Sequence, residues 1–339
     1  MRIAVLGASG LVGREMVDVL GERDFPTTEL KLLATARSAG ERIEFREREC
    51  VIEETTPESF EGVDLVLASA GKGASKKWLP VAVDAGAVCI DNSSAYRMDP
   101  DVPLVVPEIN GDASRAHQGI IANPNCSTIQ MVMALEPLHR KAGLKRVVVS
   151  TYQSVSGKGK DAVGELEQES IFLLNGKAFE REVFPHQIAF NCLPEIDAPG
   201  DDGYTIEEWK MIRETRKIMG LPDLPVTATC VRVPVFFGHS EAVFAEFSSP
   251  IDVEEARAEL EGFDGVRVVD DLANHLYPLA TVVAETDDVF VGRIRPDRSV
   301  ENGLAFWVVA DNIRKGAALN TVQIAEWLLA QDLLPSVPA

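Results

Sequence analysis

The chain has 339 residues, of which 46% are hydrophobic and 25% charged, fractions typical of a globular protein long enough for two domains with separate cores. Its formal net charge of −20 argues against DNA or RNA as a partner, because nucleic-acid binding depends on basic surface. We expect no membrane role, since the sequence has neither a signal-peptide layout nor a run of about 18 uncharged apolar residues.

A strand, a glycine-rich turn and a helix open the chain. The buried strand 2–6 leads into Gly7-Ala8-Ser9-Gly10-Leu11-Val12-Gly13, and a helical pattern follows. Glycines permit a tight turn and close backbone approach to a pyrophosphate at the helix N-terminus. A glycine-rich turn without a ligand is the alternative. We predict cofactor contacts from this turn, at Gly7, Ser9, Gly10, Leu11, Val12 and Gly13.

The end of the second predicted strand, 29–35, indicates which nicotinamide cofactor is used. NAD-specific sites commonly carry an acidic residue there, but the following turn, Ala36-Arg37-Ser38-Ala39-Gly40, has none. Arg37 offers a guanidinium and Ser38 a hydroxyl, and both suit a 2′-phosphate. The turn therefore favours NADP, with a solvated loop arginine as the alternative.

Alternating strands and helices continue through the first third of the chain. Residues 63–70 and 87–92 read as buried strands separated by the helical region 75–84. This pattern predicts a Rossmann-type α/β domain with a doubly wound parallel sheet. The loops after the strands, including Ser69-Ala70-Gly71, then lie at the carboxyl edge, where such folds bind ligands.

A different pattern begins at about residue 129. Strand-like segments at 146–153, 227–235, 240–247 and 289–295, with helices between them, predict an α+β domain with an open mixed or antiparallel sheet. The helical run 319–334 is expected to return to the first domain. We predict an NADP-binding domain over 1–128, completed by a C-terminal helix at 318–339, and a second domain over 129–317.

Cys126 is the strongest candidate nucleophile. It stands in Asn123-Pro124-Asn125-Cys126-Ser127-Thr128, just ahead of a helix-like run that starts at Ile129. The N–H groups and dipole at a helix start favour the thiolate and could hold an oxyanion. A small buried cysteine used as core filler is the alternative.

Three polar groupings in the second domain could supply the remaining chemistry. Gln153, at a strand end, could position a carbonyl group. Arg232 offers a fork for a carboxylate, and His239 can act as acid and base, although a structural histidine is equally compatible. Glu207 and Lys210 share a helix face, where a surface ion pair is the alternative to binding a zwitterion.

Cysteine and histidine spacing bears on compartment and metals. The five cysteines are scattered and form no CxxC pair, which favours a reducing cytoplasm over a disulfide framework. Neither H-E-x-x-H nor another close set of ligands occurs, so no metal is predicted.

Taken together and in order, these motifs resemble the aspartate-β-semialdehyde dehydrogenase family over nearly the whole chain. The resemblance rests on the glycine turn 7–13, the segments 36–40, 92–98 and 123–128, Glu207-Glu208-Trp209-Lys210, Arg232-Val233-Pro234-Val235, and 311–318. It implies that NADPH reduces β-aspartyl phosphate to aspartate semialdehyde, with release of phosphate, through a thioester on cysteine. This is a step in lysine, methionine and threonine biosynthesis. It also implies that 129–317 is a catalytic and dimerisation domain with a mixed sheet, and that the protein forms a homodimer or a dimer of dimers.

The resemblance also assigns catalytic roles residue by residue. Cys126 becomes the nucleophile, and His239 the general acid and base. Gln153 and Asn125 become positioning groups, and Asn312 would lie near the nicotinamide. We predict further cofactor contacts from the strand-end loop Ser69, Ala70 and Gly71.

Substrate binding is assigned in the same way. Arg97 and Lys210 would bind phosphate, Arg232 would hold the substrate α-carboxylate, and Glu207 would hold its α-amino group. These cations would form a local basic pocket in an acidic protein.

Some features depart from the family or leave alternatives open. Lys72, Lys158 and Lys160 are expected in glycine-rich loops where small residues are usual, so details of cofactor and substrate contacts stay open. Ser127 and Thr128 argue against N-acetyl-γ-glutamyl-phosphate reductases, where tyrosine and proline usually follow the cysteine. A malonyl-CoA reductase-like enzyme and a catalytically silent nucleotide-binding paralogue are the remaining alternatives.

Overall fold

The computed structural model describes residues 1–334. It forms two compact units, one made of Met1–Asn125 and the segment that begins at Ala317, the other of Cys126–Gly316. The helices are α1 Leu11–Glu22, α2 Gly71–Asp84, α3 Pro107–Asn110, α4 Cys126–Ala142, α5 Lys160–Leu174, α6 Ile206–Met219, α7 Val253–Glu261, α8 Ala280–Val283 and α9 Leu319–Ala330. The strands are β1 Arg2–Leu6, β2 Glu29–Ala34, β3 Arg42–Phe45, β4 Arg48–Glu54, β5 Leu65–Ala68, β6 Val88–Asp91, β7 Ile120–Ala122, β8 Leu144–Gln153, β9 Val226–Arg232, β10 His239–Phe247, β11 Val266–Val268, β12 Val289–Pro296 and β13 Gly303–Ala310.

A single seven-stranded sheet, in the order β3-β4-β2-β1-β5-β6-β7, forms the centre of the first unit. All neighbouring strands are parallel except the hairpin pair β3 and β4. The chain moves outward from β1 first on one side, to β2, and then on the other, to β5, so a crevice opens beside the carboxyl end of β1. The predicted parallel α/β fold is confirmed, while the β3–β4 hairpin was not expected.

Apolar side chains on both faces explain the core of this unit. The run Ile3-Ala4-Val5-Leu6 is buried throughout, as expected for a central parallel strand. Helix α1 buries Met16, Val17 and Leu20 on one face. The C-terminal helix α9 packs in the same core, and a salt bridge joins Arg23 to Glu326.

The second unit contains a six-stranded mixed sheet in the order β11-β12-β13-β10-β8-β9. Strand β10 pairs antiparallel with both β8 and β13, whereas β8 pairs in parallel with β9. This pairing brings Gln153 of β8 opposite Arg232 of β9. The predicted mixed sheet is confirmed.

Two helices of the second unit begin at positions important for the site. Helix α4 is buried over most of its length, from Ser127 to Leu138. Helix α6 begins with a capping box, in which Thr205 and Glu208 bind each other's backbone N–H groups.

Among residues 1–334, no helix is long and apolar enough to cross a membrane.

Candidate active site and cofactor pocket

Cys126 is the first residue of α4 and of the second unit, so the helix begins at the thiol itself, earlier than the run at Ile129 indicated. The residue is partly buried, and the first turn of α4 carries no acidic side chain. The first N–H groups of a helix lack intrahelical acceptors and carry partial positive charge. The position therefore favours a thiolate and offers donors to an oxyanion.

Gly316 packs directly against the β-carbon of Cys126. It lies in the π-helical turn Arg314–Ala318, and a methyl group added there would come 2.8 Å from Cβ of Cys126. Any larger residue would have to displace the cysteine or the turn. Sequence reasoning missed Gly316, because only folding brings residues 126 and 316 together.

His239 is the first residue of β10 and is fully buried. Its Nδ1 accepts the backbone N–H of Ser154 at 3.1 Å. A backbone N–H can only donate, so Nδ1 carries no proton and the neutral ring bears its proton on Nε2. Burial, and secondarily the charge of Arg232, lowers the pKa of His239 to about 3, which keeps the ring neutral near pH 7.

The proton-bearing Nε2 of His239 has no hydrogen-bond partner within residues 1–334. A methyl group added at Gly157 would come 3.1 Å from this Nε2 and 3.0 Å from Nη1 of Arg232, so both side chains border the same glycine. Arg232 is buried, and its Nη1 donates to the Ser154 carbonyl oxygen at 2.7 Å. Burial lowers the pKa of Arg232, while the negative charges of Glu207 and Cys126 oppose this effect. An N–H donor and a cation therefore lie side by side in the unit that begins with Cys126.

Helix α6 places Glu207 and Lys210 on one face, where they form an ion pair. Lys210 donates to Oε2 of Glu207 at 3.0 Å and also to the carboxylate of Asp197. The other Glu207 oxygen accepts the side-chain N–H of Gln153 at 3.2 Å. Burial alone would lower the pKa of Lys210, but Glu207 and Asp197 together raise it. The lysine is therefore charged and held between two carboxylates.

The side chain of Asn312 cross-links the loops around the histidine. Its Oδ1 accepts the Gly238 N–H at 2.8 Å and the Ser154 hydroxyl at 3.1 Å, and its Nδ2 donates to the Ser156 hydroxyl at 3.0 Å. This buried amide therefore connects Gly238, which precedes His239, to the loop at Ser154 and Ser156. Its assignment to the nicotinamide stays a prediction.

Two further substrate candidates, Arg97 and Asn125, lie buried in the first unit. Arg97 donates to the backbone oxygen of Asn92 at 2.9 Å. The same loop is tied to β6 by Asp91, which accepts hydrogen bonds from the hydroxyl and backbone N–H of Ser93. Burial raises the pKa of Asp91, and these hydrogen bonds oppose the rise.

The glycine turn after β1 fits a dinucleotide. Gly7 has φ of +90°, and a methyl group there would come 2.5 Å from the Ser69 carbonyl oxygen. A methyl group at Gly13 would come 2.2 Å from the Gly7 carbonyl oxygen. Glycine is therefore required at both positions for this close turn, which exposes backbone beside the N-terminus of α1.

A cavity of about 410 Å³ opens beside this turn. Of the predicted cofactor residues, it is lined by Gly7, Ser9, Gly10, Arg37, Ser38, Ser69 and Ala70. Side chains that sequence reasoning missed also line it, among them Glu54 at the end of β4 and Lys77 and Trp78 on α2. Glu54 reaches the cavity because β4 pairs with β2, where Ala34 lies opposite Glu54. The carboxylate absent from the turn 36–40 is thus supplied by a neighbouring strand.

Five predicted cofactor residues lie outside the cavity wall: Leu11, Val12, Gly13, Gly71 and Asn312. Leu11 and Val12 begin α1, where early N–H groups have no intrahelical acceptor. Gly13 serves the packing of the turn, and Gly71 begins α2. Their direct contact with a cofactor stays a prediction.

The lysines expected in glycine-rich loops occupy ordered turns instead. Lys72 lies in the first turn of α2, and Lys160 begins α5. The ammonium of Lys158 lies over the ring of Phe184, 5.2 Å from its centre. The loop interpretation was therefore wrong for Lys72 and Lys160, because each helix begins earlier than the glycines suggested.

Within residues 1–334, no group of acidic, cysteine and histidine side chains could hold a metal ion.

Comparisons with protein families cover both units. Residues 2–117 match the model of the semialdehyde dehydrogenase NAD binding domain, and residues 135–315 match that of the semialdehyde dehydrogenase dimerisation domain. The chain is 53% identical over 337 residues to the aspartate-semialdehyde dehydrogenase of Aquifex aeolicus (strain VF5), an alignment that covers 98% of this chain and 99% of that protein.

Solved structures show the same similarity. Aspartate semialdehyde dehydrogenase II of Vibrio cholerae, complexed with ASA, matches with a TM-score of 0.95 and 48% identity over 97% of this chain and 98% of that one. The aspartate semialdehyde dehydrogenase of Candida albicans with NADP matches with a TM-score of 0.76 and 26% identity over 98% of this chain and 100% of that one.

Proposed function

Because the chain belongs to the aspartate-semialdehyde dehydrogenase family, we propose that it reduces β-aspartyl phosphate to aspartate semialdehyde with NADPH, through a thioester on Cys126. The observation that carries the proposal is the grouping of three residues in one unit. The first is Cys126 at the start of a helix. The second is the buried Arg232, whose charge interacts with that of Cys126, and the third is the neutral His239, which borders Gly157 together with Arg232. The reaction belongs to the biosynthesis of lysine, methionine and threonine, and we place it in the cytoplasm.

Acyl transfer to Cys126 is the first chemical step. The thiolate attacks the acyl carbon, a C–S bond forms, and the C–O bond to the phosphate breaks, so phosphate leaves with the bonding electrons. The N–H groups at the start of α4 stabilise the negative oxygen that forms during the attack. Arg232 holds the substrate α-carboxylate and Glu207 its α-amino group, while Lys210 and Arg97 bind the phosphate.

The glycine turn and the cavity of the first unit would hold NADPH, which would supply hydride to the thioester carbon. His239 donates its Nε2 hydrogen bond to the substrate oxygen on which negative charge develops, and it needs no protonation beforehand to do so. Expulsion of the Cys126 thiolate then releases the aldehyde. In the reverse direction the Cys126 thiolate adds to the aldehyde, and the same Nε2–H stabilises the negative oxygen that forms. The general acid and base role that the family resemblance implies would need the proton to leave Nε2, so we propose that His239 acts as a hydrogen-bond donor in both directions.

NADP is the proposed cofactor because Arg37 and Ser38 line the same cavity as the glycine turn. Arg37 makes no hydrogen bond or ion pair with another described residue, so its guanidinium is available to a phosphate. The NADP complex of the Candida albicans relative supports this choice.

A homodimer is the proposed assembly. The second unit matches a dimerisation domain, and its sheet exposes 38% of Tyr152 and 38% of Phe244. We propose that a partner chain covers this sheet face, because exposed aromatic residues on a sheet are unfavourable in a monomer. Light scattering on the wild type and on Phe244→Glu measures the molar mass of each protein. We expect a dimer in the wild type and a monomer in the variant, and a dimer in both would show that the interface lies elsewhere. A tetramer in the wild type would indicate a dimer of dimers.

The direct test follows nicotinamide reduction with aspartate semialdehyde and phosphate, offering NADP and NAD in parallel. We expect phosphate-dependent NADPH formation in the wild type and none in Cys126→Ala. Cys230→Ala is the matched control, because Cys230 is a buried thiol on β9 whose pKa is raised by burial. Turnover in Cys126→Ala would reject the thioester mechanism. Activity only with a coenzyme A thioester would favour the malonyl-CoA reductase-like alternative, and no activity on any acyl substrate would favour a silent paralogue.

A further inference from the structure

Three charged side chains from different elements line the cavity of the first unit. Arg37 follows β2, Glu54 ends β4, and Lys77 lies on α2. None of the three forms a hydrogen bond or ion pair with another residue of the described chain. The cavity wall therefore carries two cations and one anion whose charges are not neutralised by protein partners.

Lys77 is held in place by an aromatic ring. Its Nζ lies 4.1 Å from the centre of the Trp78 ring, a cation–π geometry. Trp78 also lines the cavity and packs against the buried Phe60, with ring centres 6.1 Å apart. Although Lys77 itself is exposed, the anchored indole keeps its ammonium at the cavity.

The charges of the cavity explain why a second cation matters. The formal charges of Arg37, Glu54 and Lys77 add up to +1, whereas those of Arg37 and Glu54 alone add up to zero. A phosphate monoester carries nearly two negative charges at neutral pH, and this chain has a net charge of −20. Arg37 alone would be offset by Glu54, so a dianion at this site needs another cation.

We propose that Lys77 determines cofactor specificity together with Arg37, by binding the 2′-phosphate of the cofactor's adenosine half. This inference rests on the proposed use of NADP. Glu54 would oppose the dianion and keep its binding reversible. An ordinary surface lysine that merely rests on Trp78 is the competing explanation, and it predicts no effect on phosphate binding.

Calorimetric titration of the full chain with two fragments tests the proposal without turnover. Adenosine 2′,5′-bisphosphate carries the 2′-phosphate, and adenosine 5′-monophosphate lacks it. Lys77→Met should weaken binding of the bisphosphate by about tenfold, comparable to losing one charge-assisted contact, and leave the monophosphate unchanged. The loss should shrink as salt rises, because exposed charges are screened.

Lys76→Met is the matched control, since Lys76 is an exposed neighbour on α2 that does not line the cavity. It should bind both fragments as the wild type does. If the wild type prefers the bisphosphate and both Lys77→Met and Lys76→Met bind it as tightly as the wild type, Lys77 has no role in phosphate binding and the NADP proposal stands. If the wild type shows no preference for the bisphosphate, both the NADP proposal and this inference fail.

Discussion

The backbone N–H of Ser154 donates a hydrogen bond to Nδ1 of His239 at 3.1 Å. This contact fixes the proton of the neutral ring on Nε2, the nitrogen that borders Gly157 and has no partner among the described residues. Because the donor is a main-chain group at the end of β8, the tautomer is set by the backbone. The residue is therefore poised as a hydrogen-bond donor before any substrate binds.

His239 should make the protein less stable in mild acid. Its pKa is about 3 when folded and about 6.5 when unfolded, so its neutral form favours the native state fully above pH 6.5 and progressively less as pH falls towards 3. At pH 5 the loss amounts to about 2 kcal/mol of the free energy of unfolding. Urea titrations at pH 7.5 and 5 should show a smaller drop in His239→Asn than in wild type. The exposed residue His186 supplies the control, His186→Asn, and an equal drop in all three proteins would contradict the assignment.

Gly316→Ala should impair catalysis more than folding. The new methyl group would press on Cβ of Cys126 at 2.8 Å, and a nucleophile displaced by a fraction of an ångström loses activity steeply. We expect kcat/KM to fall by about a hundredfold while NADP binding is kept. Gly164→Ala in α5 is the control, because a methyl group there meets nothing within 4 Å. Wild-type kinetics in Gly316→Ala would show that the turn yields freely.

Asp197→Asn should change phosphate binding through Lys210. Asp197 and Glu207 both engage the lysine, and incoming phosphate must compete with them. Removing one competing charge should lower the KM for phosphate by about two- to fivefold, the scale of a partly exposed ion pair. Initial rates at varied phosphate measure this, with the exposed neighbour Asp201→Asn as control. A higher KM would mean that Asp197 positions Lys210 for phosphate instead of competing.

Glu241→Gln should stabilise the protein increasingly as pH rises. Glu241 is fully buried two residues after His239, and neither carboxyl oxygen has a hydrogen-bond partner within residues 1–334. Burial raises the pKa of Glu241 well above its usual value of 4.5, against a weaker effect of the Gln130 amide. The stability that protonated Glu241 confers is fully present below pH 4.5, the pKa of the unfolded chain. It is lost as pH rises towards the folded pKa, because the Glu241 carboxyl ionises at a lower pH in the unfolded chain than in the native protein.

Thermal or urea unfolding of Glu241→Gln between pH 5 and 8 measures this effect. The variant should gain stability relative to wild type across that range, since glutamine cannot ionise. The exposed hairpin variant Glu44→Gln should track the wild type. A parallel pH dependence of Glu241→Gln and wild type would show that Glu241 is ionised in the native protein.

Local sequence predicted the elements that depend on short-range physics. The apolar run of β1, the glycines after it and the helix that follows are encoded within a few residues of each other, so the Rossmann-type sheet was predictable. The setting of Cys126 at a helix start is equally local. The family resemblance added roles for Arg232 and His239 that spacing alone left open.

The tertiary structure decided everything that depends on approach between distant segments. Glu54 enters the cofactor cavity through strand pairing, and Gly316 meets Cys126 through the final turn before α9. The proton position on His239 depends on a backbone group 85 residues away. Sequence determines which side chains are available and which local elements form, because propensity and periodicity act over short spans. Burial, charge compensation and hydrogen-bond direction are set only when the sheet order brings those elements together.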